Sequence, residues 1–107
     1  MEKRRPHYPL RRLQASIQNS NTWTITSSAY AEAVKLGWSE EEIVQCVCGL
    51  TQRDFYKSMT TYHNPKLWQD VYRPTFRAVD LYVKLQIFPA EHVTVISFKE
   101  RRSGEQP

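Results

Sequence analysis

Apolar positions recur every three or four residues in the first half of the chain and every second residue in the second half. The first period puts one face of a helix into a core, and the second does the same for a strand. Leu10, Leu13 and Ile17 predict a helix that opens near Pro9 and ends at Asn19-Ser20-Asn21. Thr22 to Thr26 is short and β-prone. Thr26 or Ser27 can cap a second helix running to about Leu36, with Gly37 just past its end. Ser39 with Glu42 spells a capping box. Ile43, Val44, Val47 and Leu50 then form the apolar stripe of a third helix, with Gly49 near its C-terminus.

From Asp54 the period drops to two. Phe55 to Tyr62 is strand-like and is followed by the turn His63-Asn64-Pro65. Trp68 to Phe76 predicts a second strand, in which Pro74 argues for an edge or an end. Val79, Leu81, Val83, Leu85 and Ile87 alternate strictly with Asp80, Tyr82, Lys84, Gln86 and Phe88, the clearest strand of the chain. Pro89-Ala90-Glu91 turns it, His92 to Lys99 returns, and residues 101–107 read as a flexible tail. Helices followed by a run of strands predict one α+β domain over residues 1–107, an antiparallel sheet with the N-terminal helices on one face.

Composition supports a folded chain: 107 residues, 40% hydrophobic and 24% charged, room for a single core. No apolar run approaches the ~18 residues that cross a bilayer, and the basic start lacks the apolar region of a secretory signal. Cys46 and Cys48, two apart on a helix, point to different sides and read as packing thiols of a cytoplasmic protein rather than as a disulfide. His7, His63 and His92 lack metal-ligand spacing, so neither metal nor other cofactor is expected.

Charge adds a direction. Residues 1–12 carry +4, residues 13–54 carry −3, and residues 55–102 carry +4. An acidic middle between basic ends suggests a surface for a polyanion, although a solvated basic face would read the same way. The sheet face turned from the helices would carry Lys, Arg, Tyr and Gln. Cations there neutralise phosphates and rings stack on bases, as a single-stranded nucleic-acid site requires. Ordinary exposed strands also favour Tyr and Lys. A helix-turn-helix reader of DNA is disfavoured, because Glu40 to Glu42 open the third helix where phosphates would approach.

The blocks Asp54-Phe55-Tyr56-Lys57-Ser58-Met59-Thr60-Thr61-Tyr62, Trp68-Gln69-Asp70-Val71-Tyr72-Arg73-Pro74, Tyr82-Val83-Lys84 and Ile96-Ser97-Phe98-Lys99-Glu100 resemble the motility quorum-sensing regulator (MqsR) toxins. The opening Met1-Glu2-Lys3-Arg4 with Pro6-His7 is similar too. The strong resemblance covers residues 54–100, and the helical half matches mainly in layout. It implies a RelE-like fold and a messenger-RNA interferase toxin that cuts free single-stranded RNA without the ribosome, with a preference for GC-containing sites. It also implies a zinc-binding antitoxin as cognate partner, while leaving a homodimer open. Carried over by position, the catalytic set falls on Lys57, Gln69, Tyr82 and Lys99. Tyr56 and Met59 match flanking positions, and Arg73 and Lys84 would contact RNA. The Phe88–His92 turn looks longer than the family's, and the chain extends past Glu100.

Those residue types suit one chemistry. RNA supplies its own nucleophile, the 2′-hydroxyl. A nuclease then needs a base for the 2′ proton, a donor for the leaving 5′ oxygen, and cations for the charge gathering on phosphorus. Lys57 and Lys99 suit the last role, since a free lysine titrates near ~10.4. Neighbouring lysines depress each other, which leaves a base role open. Tyr82 can give or take a proton, and Gln69, which does not titrate, can only orient. The products would be a 2′,3′-cyclic phosphate and a 5′-hydroxyl. Two other readings of the same face remain: a non-catalytic RNA-binding module, and a protein that only regulates a partner.

Overall fold

Thr26 and Ser39 start two of the α-helices by the chemistry their side chains predict. Thr26 Oγ1 accepts a hydrogen bond from the Ala29 N–H and opens α2 (Ser27–Lys35). Ser39 and Glu42 close a reciprocal box that opens α3 (Glu40–Cys48). α1 (Leu10–Ile17) begins at Pro9. Gly37 follows α2 at φ 82°, in the left-handed region that favours glycine. From α1, Gln14 Nε2 reaches the carbonyls of Val47, Cys48 and Leu50 and so satisfies the end of α3. The computed structural model describes residues 1–101.

Among the described residues seven strands follow in chain order: β1 (Glu2–Lys3), β2 (Trp23–Ile25), β3 (Phe55–Thr60), β4 (Trp68–Tyr72), β5 (Thr75–Phe76), β6 (Val79–Ile87) and β7 (Val93–Glu100). Across the sheet the order is β1-β3-β4-β6-β7-β2, with β5 paired to β6. Neighbours run antiparallel except β2, which lies parallel to β7. The chain is α+β, as its periodicity predicts.

The core lies between the helices and one sheet face. Leu13, Ile17, Ile43 and Val47 meet Leu81, Val83, Leu85, Val93, Val95 and Phe98, all essentially without exposure. Leu81, Val83 and Leu85 are the alternate positions of β6 that periodicity assigns to the packed face, whereas Phe98 joins Val93 and Val95 there only through a register shift in β7. Cys46 belongs to this core and its thiol is pushed up to about 12, first by burial and then by Asp54. Cys48 is half-buried, and neither is paired.

Four boundaries differ from expectation. The strand expected over Trp68–Phe76 breaks into β4 and β5 at Pro74, which brings no N–H to the ladder. β3 stops at Thr60, because Thr61 Oγ1 turns the chain by accepting from the Asn64 N–H. Arg101, expected in the flexible tail, is held: its N–H donates to the Asp80 carbonyl at 2.8 Å and its Nε to that of Leu81 at 3.2 Å. Residues 102–107 of that tail lie outside the described residues. Strand β1 was not expected at all. It is anchored by the segment after it, where buried Asp70 accepts from the N–H groups of His7 and Tyr8 and the Tyr8 hydroxyl donates to the Trp68 carbonyl.

Candidate active site on the open sheet face

Register decides which side chains share the face away from the helices. Met59 pairs with Gln69, whose Nε2 donates to Gln86 Oε1 at 2.9 Å, and Gln86 pairs with Thr94. The next row is Lys57, Val71, Lys84 and Ser97. The row beyond it pairs Tyr82 with Lys99. Side chains two apart on a strand are spaced about 6.7 Å, and neighbouring strands lie about 4.8 Å apart. Lys57, Gln69, Tyr82 and Lys99, from four different strands, therefore fall within three adjacent rows of one surface.

Two irregularities shape that surface. The β3–β4 register shifts between Phe55 and Lys57, leaving Tyr56 as an extra residue. The β6–β7 register shifts after Lys84, where Ile96 is extra. Such bulges re-aim side chains and sharpen twist. Here they flank the Lys57–Lys84–Ser97 row at both ends.

The face is less open than alternation suggests. Lys57 is 8% exposed and Tyr82 6%. Lys57 Nζ forms a 2.8 Å ion pair with Glu2 Oε1, reaching across from β1. The Tyr82 ring centre lies 5.3 Å from Lys99 Nζ and 5.8 Å from Lys84 Nζ, so two ammonium groups flank one phenol. Lys84 is half-buried. Burial pulls its ammonium below the ordinary lysine range, and the charges of Lys57 and Lys99 push it the same way.

Tyr56 and Arg73 form a second cluster. The Arg73 guanidinium lies 4.5 Å from the Tyr56 ring centre and that of Arg4 lies 5.2 Å away. A base stacking on Tyr56 would have to displace one of them. Met59 sits beside Gln69, and Lys99 borders a cavity of about 500 Å³ between α2 and β7, lined also by Ser28, Glu32, Ser97 and Glu100. Three residues of the site went unread in the sequence. Gln86 could have been found, because it continues the Tyr82–Lys84 alternation by two. Glu2 and Arg4 could not, since nothing local announces a two-residue strand.

The arrangement offers cations in two adjacent rows, a phenol between two of them and an amide pair at one side. It can neutralise a phosphate and move a proton within the same small area.

The sequence matches known proteins. Residues 5–100 match the family described as "Motility quorum-sensing regulator, toxin of MqsA". The mRNA interferase toxin MqsR of Escherichia coli (strain K12) is 39% identical over 101 residues, spanning 94% of this chain and all of that protein.

Proposed function

Because the chain belongs to the MqsR toxin family, we propose that it is a metal-independent endoribonuclease, an mRNA interferase that cuts free single-stranded messenger RNA. In this reading residues 1–107 are one RelE-like toxin domain acting in the cytoplasm. Its cuts favour GC-containing sites, and a cognate zinc-binding antitoxin neutralises it.

The observation that carries the reading is the convergence of Lys57, Gln69, Tyr82 and Lys99 on three adjacent rows of the helix-free face. Lys57 and Lys99 stabilise the charge that gathers on the phosphorane oxygens. Tyr82 exchanges a proton with the reacting oxygens. Gln69, steadied by Gln86, orients sugar or phosphate. Arg73 and Lys84 attract the backbone, and Tyr56 and Met59 border the bases.

The test is a defined RNA incubated with the protein in EDTA, with both new ends mapped. A 2′,3′-cyclic phosphate or its hydrolysed form, opposite a 5′-hydroxyl, is expected. Salt-sensitive binding without scission would replace the nuclease by a non-catalytic RNA-binding module.

A further inference from the structure

Lys84 stands at the centre of the site, and no role beyond attraction of phosphate has been required of it. Its row runs from Lys57 on β3 through Val71 on β4 to Ser97 on β7. Among the described residues, three other charged side chains surround it on the face. Lys57 answers Glu2, Lys99 lies one row on beside Tyr82, and Arg73 stacks on Tyr56. Val71 and Ser97 flank Lys84 directly and carry no charge. Among the described residues, no carboxylate forms an ion pair with it. An amine placed this way sheds its proton more readily than a surface lysine does.

We propose that Lys84 is the base that takes the 2′ proton. This rests on the nuclease reading above and adds a residue to its chemistry. Neutral Nζ accepts the proton of the 2′-hydroxyl, and the 2′ oxygen forms a bond to phosphorus. The bond from phosphorus to the 5′ oxygen breaks, and that oxygen takes the hydroxyl proton of Tyr82, whose ring lies 5.8 Å from Lys84 Nζ. The ammonium and phenolate left behind exchange with water before the next turnover. Lys57 and Lys99 serve twice, holding the phosphate and keeping Lys84 from remaining protonated.

The test is single-turnover cleavage of an oligodeoxynucleotide with one ribonucleotide at the scissile position, followed over pH. Binding of the all-deoxy oligonucleotide, which cannot be cut, is measured in parallel and certifies the fold. For the wild type, the rate should rise with pH to a plateau whose inflection lies below the free-lysine value of about 10.4. Lys84→Arg keeps the charge but cannot act as base, and should lose about a hundredfold or more in rate while binding changes far less. Lys84→Cys alkylated to thialysine, a less basic amine, should regain cleavage with the inflection moved to lower pH. Wild-type chain treated alike controls for Cys46 and Cys48.

Cleavage by Lys84→Arg close to the wild-type rate would overturn this inference alone. So would equal losses of cleavage and binding, or a thialysine enzyme with an unmoved inflection. A wild type that cuts nothing removes the nuclease reading and this one together.

Discussion

Glu2 Oε1 lies 2.8 Å from Lys57 Nζ, joining the first strand of the chain to a buried lysine of the third. The register makes this possible, since Glu2 pairs with Met59 and so shares the face of Lys57. The lysine's hydrogen bond, and then its charge, holds the Glu2 carboxyl below its ordinary range. A folded-state value below the unfolded one means that the pair contributes at pH above the unfolded value of about 4.3 and fades as pH falls through the lower folded value. Carboxyl NMR should therefore show Glu2 titrating below ordinary glutamates, and Lys57→Met should move its midpoint up toward the ordinary glutamate range. An ordinary midpoint in the wild type would mean that the pair does not form in solution.

Loosening that pair should affect catalysis modestly. Glu2→Gln removes the charge that steadies Lys57, and an exposed partner of this kind contributes little. Single-turnover cleavage should fall by about twofold to fivefold. A loss comparable to that of Lys57→Ala would show that Glu2 has a task of its own.

Tyr82→Phe deletes one hydroxyl and keeps the ring packed against β7. Cleavage should drop by roughly a hundredfold or more, with affinity for uncut RNA preserved. Lys99→Ala should lose cleavage to a similar extent and weaken binding as well, since it removes a cation. Full activity in both variants would remove the site assignment.

Asp70→Ala should destabilise the fold by about 2–3 kcal/mol, read from the urea midpoint at unchanged slope. The cause is specific. The variant leaves the buried N–H of Tyr8, and the part-buried N–H of His7 beside it, without their acceptor. Loss of cleavage at high temperature should precede global unfolding, because the segment released carries β1 and Glu2.

Ser39→Ala offers the complementary control. Losing the box that opens α3 should cost about 1 kcal/mol, with cleavage at 25 °C nearly unchanged. α3 packs on the opposite side of the sheet. A large loss of activity would place α3 in the site.

Much of this fold could be read in the sequence because its local signals agree. The Ser39–Glu42 box, Gly37 and the alternation of β6 each predict a feature that the structure shows. The sequence fails where long-range pairing decides. β1 has no period of its own and exists because β3 offers an edge. The burial of Lys57 follows from β1 covering that edge, so alternation alone assigned it more solvent than it has. The bulges at Tyr56 and Ile96 are likewise invisible to a period of two. The grouping of Lys57, Gln69, Tyr82 and Lys99 became legible through the resemblance of their blocks, and the depressed basicity of Lys84 only through three-dimensional neighbours.

The position of β7 bears on synthesis. It is the last strand made among the described residues, it lies between β6 and β2, and Trp23 from early in the chain must wait for Val93 before that edge can close. Lys99 arrives with it. A nascent chain released before Ser97 would lack the half of β7 that pairs with Tyr82 and Lys84, so under the proposed site assignment an interrupted round of translation would yield a fragment without a complete site.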